Sequence, residues 1–307
     1  MHNHSVHNSK IELVTCLHTP ERSHTYDFIE SLHMPSCKCK SEITHSSCSP
    51  QCKSKYQSCV RSHYWSHLTG ILGQPLSTYY SISTHSLNSN QIELDLSRTF
   101  PDNSYFSSDQ GADVLNRVLN RFANFMPNPG YVQGMNYIMA ALLWHCSEVQ
   151  AFWIFVKLIT DFNLRENFVD GLPGLLMHFD IVENYIRTLW PAFFNHLQNN
   201  SIMVGMFVTD WCITIFTNVI PIDKVSRFLS CFLEEGWPFF YKLALEIVDR
   251  LKKKCLKADD RLEILSILKP FQLYADPQSR FLESLTQGFE RKNWSTIIKA
   301  AKKRKLS

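Results

Sequence analysis

The sequence predicts an all-α fold. The chain of 307 residues contains only 10 glycines, whereas an average usage of about 7% would give about twice as many. Long apolar segments recur with helical spacing, and no segment shows a convincing strand pattern. Hydrophobic residues make up 45% of the chain and charged residues 19%, which is an ordinary globular balance. A chain of this length can bury a sizeable core.

Three regions follow from the pattern along the chain. Residues 1–57 are polar, rich in Cys and His and poor in periodicity, so we predict a loosely structured extension. Three prolines interrupt it: Pro20, Pro35 and Pro50. Residues 58–270 carry the regular apolar pattern of a helical domain. Residues 271–307 combine one amphipathic helix, predicted over 276–301, with a basic tail.

The first predicted elements lead up to Arg98. An apolar and aromatic pattern predicts a helix over 60–72, and the residues at 75–91, rich in Ser, Tyr and Asn, favour a loop. Residues 92–96 form at least one helical turn. Pro101 follows shortly, and the residue before a proline disfavours the helical conformation. Arg98 is therefore expected at a helix end or on the loop after it, free to project outward.

The next two predicted helices are separated by a turn. Residues 109–126 have a helical pattern that Ser108 or the following residue can cap. Residues 127–130 read Pro-Asn-Pro-Gly, which is typical of a turn. An almost continuously apolar helix is predicted over 131–144, with Gln133 in its first turn and facing outward. Further helices are predicted at 147–161, 172–190, 202–218, 221–235, 237–256 and 258–269.

One segment, residues 202–220, has about the length and apolarity of a membrane span. Asp210 lies near its centre, where a charge costs about 2.5–3.5 kcal/mol on insertion scales. Four polar side chains dilute the segment further: Thr209, Thr214, Thr217 and Asn218. We therefore predict a buried core helix here and no transmembrane segment.

Composition excludes several classes of function. The net charge of +3 is too small to indicate a nucleic-acid partner. Basic clusters at 252–257 and 299–305 fit solvated helix ends, or attraction to an acidic membrane surface. The N-terminus has no apolar run typical of a secretory signal, so the ten cysteines are expected in a reducing compartment. No phosphate-cradling G-x-x-x-x-G-K-S/T motif occurs, so the chain is not expected to bind GTP by itself.

Four cysteines in the N-terminal extension are candidate zinc ligands. They are Cys37, Cys39, Cys48 and Cys52. Their spacing, C-x-C with C-x₃-C, is less diagnostic than two C-x-x-C pairs. A thiol-rich segment without metal is therefore the favoured interpretation.

Two short motifs carry the candidate chemistry. The first, residues 92–98, reads Ile-Glu-Leu-Asp-Leu-Ser-Arg and is followed directly by Thr-Phe-Pro. The second, residues 131–136, reads Tyr-Val-Gln-Gly-Met-Asn. An arginine is a permanently charged, planar group that can span phosphate oxygens. Together the two side chains suit acceleration of GTP hydrolysis, in which Arg98 neutralises charge developing on the γ-phosphoryl group and Gln133 orients the attacking water.

The two motifs together resemble the double signature of TBC domains, the GTPase-activating domains that act on Rab GTPases. That signature reads I-x-x-D-x-x-R, followed downstream by Y-x-Q-G. Residues 61–70 are similar to the family's opening element R-x-x-h-W-x-x-L-x-G, where h is apolar or aromatic. Residues 228–236 resemble, more weakly, a later element that reads I-W-D-x-F-L-x-x-G. The resemblance covers about residues 58–270 and implies two packed helical lobes, with a GTP-bound Rab GTPase docked in the groove between them.

The resemblance also implies roles for individual residues. Arg98 would be an arginine finger and Gln133 a glutamine finger, both supplied in trans. Four neighbours would position them: Ile92, Asp95, Tyr131 and Gly134. Two further residues are candidates for partner contact: Asn136, whose alternative role is to cap backbone, and Arg61, whose alternative role is to pair with a carboxylate near the site. The three-residue spacing between Asp95 and Arg98 itself permits an ion pair that pre-sets the arginine.

The resemblance implies no cofactor of the chain's own, because GTP and Mg²⁺ would belong to the partner GTPase. It implies a cytoplasmic location, extending to peripheral association with endomembranes, and a role in vesicle trafficking. The chain departs from the family at two places: the G-I-P before the opening helix is missing, and Leu229-Ser230 replaces a Trp-Asp pair. The alternative is a catalytically silent Rab-binding scaffold, since relatives of that kind lack one or both fingers, whereas both are present here.

Overall fold

The computed structural model describes residues 60–71, 74–269 and the single residue 296. Every regular element in that part of the chain is helical, as the sequence predicts: twelve α-helices, one 3-10 helix and no strand. Several predictions lie outside the described residues: the extension over 1–57, the candidate zinc ligands Cys37, Cys39, Cys48 and Cys52, the helix over 276–301 and the basic tail. Among the described residues, no group of His, Cys, Asp or Glu is arranged to hold a metal ion.

Six helices form the N-terminal lobe. They are α1 (Val60–Leu68), α2 (Leu76–Ser81), α3 (Ser89–Leu96), α4 (Asp109–Phe125), α5 (Met135–Leu143) and α6 (Glu148–Thr160). Helices α4, α5 and α6 pack on one another, α3 packs on α4 and α5, and α1 and α2 pack on α6. Of the two residues predicted as the cap of α4, Ser108 is the one observed, and its Oγ accepts from Gly111 N at 3.2 Å. At the start of α6, Ser147 forms a capping box with Gln150.

The C-terminal lobe begins with a 3-10 helix and contains six α-helices. The 3-10 helix spans Leu164–Asn167, and the others are α7 (Pro173–Leu189), α8 (Pro191–Asn199), α9 (Gly205–Thr214), α10 (Ile222–Glu235), α11 (Trp237–Cys255) and α12 (Arg261–Leu268). Helix α7 packs on α8, α9 and α11, and α11 also packs on α10 and α12. The lobes meet where α5 packs on α9 and α10, and where α1 packs on α10.

The helices of the structure differ from the sequence predictions at several places. Residues 76–81 form α2 within the predicted loop, because the fully buried Tyr79 anchors them and donates to Glu148 at 2.9 Å. Helix α8 was not foreseen. The helix predicted over 202–218 stops at Thr214, because Ile215 and Phe216 adopt positive φ angles of 44° and 65°.

The apolar segment around α9 is nevertheless the core element that the sequence predicts. Phe207, Val208 and Trp211 are buried in the C-terminal lobe. In the part of the chain that the structure describes, no helix is long and apolar enough to cross a bilayer.

The Leu229-Ser230 pair, which departs from the family pattern, still packs α10 on α1. Leu229 is buried in the core. Ser230 Oγ accepts from the indole Nε1 of Trp65 at 2.8 Å and donates to the Ser226 carbonyl at 2.9 Å. The Tyr64 hydroxyl adds a hydrogen bond to Glu234 at 2.5 Å across the same helix pair. The substitution therefore leaves the buried indole with a hydrogen-bond acceptor.

Candidate functional site

Arg98 lies in the turn that ends α3, as the sequence predicts. Helix α3 stops at Leu96, and the Thr99 hydroxyl donates to the Asp95 carbonyl at 2.6 Å, closing the last turn. Phe100 then adopts a positive φ of 49°, directly before Pro101. The Arg98 side chain remains 49% exposed. The chain therefore presents a permanent cation at the surface, immediately beyond a helix end.

The buried carboxylate of Asp95 orients the Arg98 side chain. Asp95 is 3% exposed and forms an ion pair with Nη2 of Arg98. It also accepts a hydrogen bond of 2.5 Å from the Tyr131 hydroxyl. A buried carboxylate is costly unless it is paired and hydrogen-bonded, and here it is both. Ile92, fully buried one turn earlier, fixes α3 against the core.

Tyr131 connects the two motifs. Burial, and then the hydrogen bond to Asp95, raise the pKa of the Tyr131 hydroxyl far above its ordinary value, so the hydroxyl stays protonated and donates. The side chain of Asn88, just before α3, brackets Tyr131 by accepting from its backbone N at 3.3 Å and donating to its carbonyl at 3.4 Å. The arginine motif and the glutamine motif are thereby joined by the buried hydrogen bond between Tyr131 and Asp95 and by the part-buried contacts of Asn88.

Two further hydrogen bonds join the segments that carry the two motifs, and a third lies within the glutamine motif. Asn136 is fully buried; its Nδ2 donates to Thr99 Oγ1 at 2.7 Å and its Oδ1 accepts from Gly134 N at 3.0 Å. The Tyr137 hydroxyl donates to the Arg98 carbonyl at 3.0 Å. Of the two roles that the sequence leaves open for Asn136, these contacts favour the backbone cap over partner contact. Thr99 and Tyr137 are not among the predicted site residues, although each directly follows a motif residue.

Gln133 is exposed, but it does not lie in the first turn of a helix as predicted. Helix α5 begins at Met135, because Gly134 has φ 105° and ψ −29°, a conformation outside the helical region. Gln133 therefore sits in the tight turn before α5. Four apolar residues of α5 pack inward and are fully buried: Met135, Ile138, Met139 and Leu142.

Gly134 places this turn directly against the C-terminal lobe. A Cβ atom at Gly134 would lie 3.3 Å from the side chain of Ile213 on α9. Two independent features therefore require glycine at this position: the positive φ angle and the close approach of another helix. Ile213 is a site neighbour that is not among the predicted site residues.

Replacing Gly134 with alanine is expected to destabilise the domain by about 1–3 kcal/mol, the usual cost of a disfavoured backbone conformation, with the crowding of Ile213 in addition. Thermal unfolding measures this loss of stability. Gly171→Ala is the matched control, because Gly171 also has a positive φ, of 77°, but a Cβ there meets nothing within 4 Å. A melting temperature no lower for Gly134→Ala than for Gly171→Ala would contradict a role for the Ile213 contact.

Arg61 belongs to a different part of the fold from Arg98. It is half-buried on α1, which packs on α6 and α10, whereas Arg98 follows α3, which packs on α4 and α5. Contact between Arg61 and a partner stays a prediction. The site that the structure assembles thus consists of an exposed guanidinium and an exposed amide over a buried polar support. Such a pair can neutralise an anion and hold a water molecule, and it offers charge and hydrogen bonds rather than a nucleophile.

The family model of the Rab-GTPase-TBC domain matches residues 58–256. The Rab GTPase-activating protein eat-17 of Caenorhabditis elegans is 28% identical over 217 residues, covering 67% of this chain and 24% of that protein. The human ecotropic viral integration site 5 protein homolog is 28% identical over 203 residues, covering 65% of this chain and 25% of that protein. The chain thus spans about a quarter of the length of these relatives.

Two solved structures share the fold. The flagellar RabGAP TBC domain of Chlamydomonas superposes with a TM-score of 0.63 at 25% identity, covering 74% of this chain and 78% of that chain. The Ypt/Rab-GAP domain of Gyp1p superposes with a TM-score of 0.59 at 17% identity, covering 90% of this chain and 87% of that chain. The second similarity is one of fold alone.

Proposed function

The chain belongs to the Rab-GTPase-TBC domain family, and from this premise we propose that it is a GTPase-activating protein for Rab GTPases. It supplies Arg98 and Gln133 in trans to a GTP-bound Rab. The observation that carries the proposal is the chain of contacts from the exposed Arg98 through Asp95 to Tyr131. That chain of contacts connects an exposed cation to the segment that bears an exposed glutamine.

In the proposed mechanism Arg98 neutralises negative charge that develops on the γ-phosphoryl group. The ion pair with Asp95 uses Nη2 and leaves about half of the side chain exposed toward a partner. A guanidinium that is already oriented loses less conformational entropy when it binds phosphate oxygens. Asp95 is a positioning residue, because its carboxylate is buried and occupied by two partners.

Gln133 orients the attacking water, replacing in trans the water-orienting glutamine of the GTPase. The turn that carries it is fixed on three sides: by Asn136 through the Gly134 N–H, by Ile213 through the close approach, and by Tyr131 through Asp95. GTP and Mg²⁺ come with the GTPase, so the chain contributes side chains and no cofactor. By extension of this activity, the chain acts in vesicle trafficking at the cytoplasmic face of endomembranes.

Replacing Tyr131 with phenylalanine is expected to lower the stimulated rate constant by about tenfold, because Asp95 loses one of its donors and orients Arg98 less firmly. The aromatic ring, which is buried, is retained. Single-turnover GTP hydrolysis at saturating protein measures the rate constant, and titration measures binding. As a positioning residue, Tyr131 should affect the rate constant and leave Rab binding unchanged. A change confined to binding would contradict this role.

The proposal is tested by mixing GTP-loaded Rab proteins with the chain and measuring both complex formation and phosphate release. Stimulated phosphate release from at least one Rab supports an activator. Binding without any stimulation would point to a silent scaffold, in which the two side chains are present but not used. Neither binding nor stimulation across the panel would contradict the assignment of a Rab partner.

A further inference from the structure

Asp210 introduces a second carboxylate close to the site. It lies on α9 one helical turn before Ile213, the residue that lies against Gly134. Its Oδ2 is 3.4 Å from Nζ of Lys269, which directly follows α12. The Asp210 side chain is 32% exposed and that of Lys269 is 38% exposed. An ion pair therefore stands on the C-terminal lobe, beside the turn that bears Gln133.

Tyr137, whose hydroxyl donates to the Arg98 carbonyl, is influenced by the charges of both Arg98 and Asp210. Burial raises the pKa of the Tyr137 hydroxyl; the Arg98 charge lowers it, and the carboxylates of Asp95 and Asp210 raise it further. All three charges therefore act at one side chain. Asp95 is buried and paired with Arg98, whereas Asp210 is partly exposed and belongs to the opposite lobe.

We propose that Lys269 is a charge-neutralising residue for the proposed reaction: by pairing with Asp210 it prevents this carboxylate from repelling the nucleotide of an approaching GTP-bound Rab. The inference rests on the proposed function, since it supposes that an anionic nucleotide approaches Arg98. Lys269 acts through Asp210 and need not touch the GTPase. The pair thereby sets the electrostatic potential of the C-terminal side of the site.

The physical basis is the range of a partly exposed charge. Surface charges steer association over roughly a Debye length, which is about 30 Å at 0.01 M ionic strength and about 8 Å at 0.15 M. An unpaired Asp210 would oppose an anion and weaken the attraction due to Arg98. An ion pair with this much exposure contributes little to folding. Its loss should therefore alter association and leave the fold intact.

The experiment compares Lys269→Gln, Asp210→Asn and the double variant with the wild-type chain. The probe is a GTP-loaded Rab that the wild-type chain stimulates, and kcat/KM is measured at about 0.01 M and about 0.15 M ionic strength. We expect Lys269→Gln to lower kcat/KM about threefold to tenfold at low salt, through KM, with a smaller effect at high salt. Asp210→Asn and the double variant should match or exceed the wild type.

Arg187→Gln is the matched control for net charge. It also removes one positive charge from an ion pair with comparable exposure, between Arg187 and Glu183 on α7. This control should not change kcat/KM. An unchanged kcat/KM for Lys269→Gln at low salt, a defect independent of salt, or a double variant that keeps the defect would each overturn the proposal.

The association rate constant of the same Rab, measured without hydrolysis, separates this inference from the proposed function. A chain that binds a Rab but does not stimulate it would contradict the activator proposal, while the charge effect would still be read in the association rate at the two salt concentrations. A wild-type chain that neither binds nor stimulates any Rab would overturn both.

Discussion

Replacing Arg98 with alanine is expected to remove nearly all stimulation of GTP hydrolysis, a loss of about 10³–10⁵ in the stimulated rate constant. The reason is that the substitution removes the cation that the Asp95 ion pair holds at the end of α3. Single-turnover phosphate release at saturating protein measures the loss. Complex formation with GTP-loaded Rab should persist, because most of the contact area lies outside one side chain.

Arg98→Lys is the control that separates charge from shape. Lysine retains a positive charge to pair with Asp95, but it lacks the planar fork that spans two phosphate oxygens. We therefore expect Arg98→Lys to keep the wild-type melting temperature and to recover only a small part of the rate. A lysine variant as active as the wild type would show that charge alone suffices. An alanine variant with unchanged stimulation would contradict the arginine-finger role.

Replacing Gln133 with alanine is expected to lower the stimulated rate constant by about 100-fold or more, as is usual when one preorganised hydrogen-bonding group is lost from the reacting centre. The turn should keep its shape, because Gly134, Asn136 and Tyr131 hold it through contacts that do not involve the Gln133 side chain. Gln198→Ala, which removes an exposed glutamine from α8, is the matched control and should leave the stimulated rate constant unchanged.

A variant of the GTPase tests whether Gln133 itself orients the attacking water. If Gln133 replaces the water-orienting glutamine of the Rab, the wild-type chain should still stimulate a Rab in which that glutamine is changed to alanine. The combination of this Rab with Gln133→Ala should show no stimulation. A Rab variant that fails to respond to the wild-type chain would mean that the glutamine of the GTPase, and not Gln133, orients the water.

Most helices of this fold can be predicted from the sequence because their apolar faces and caps are local signals. Ser108 and Ser147 each mark a helix start that the structure contains. The predictions fail where tertiary contacts, and not local sequence, determine whether a segment is helical. Tyr79 turns a polar, loop-like segment into α2 by inserting into the core, and Ile215 ends α9 by adopting a left-handed conformation that no local pattern indicates.

In the candidate site, too, the contacts between residues close in sequence can be predicted, whereas the contacts between distant segments cannot. The ion pair between Asp95 and Arg98 follows from their spacing, since residues three apart on a helix face each other. The contact between Tyr131 and Asp95 joins residues 36 apart in the chain, and spacing cannot supply it. The neighbours from the other lobe, Asp210 and Ile213, lie in a segment whose sequence indicates only a buried helix.

The most direct test of the central claim is single-turnover phosphate release from a panel of GTP-loaded Rab proteins, with wild-type chain and Arg98→Ala measured side by side. We expect the wild-type chain to stimulate a subset of the panel, and Arg98→Ala to bind the same subset without stimulating it. Equal stimulation by the two chains, or binding by the wild-type chain with no stimulation of any Rab, would contradict it.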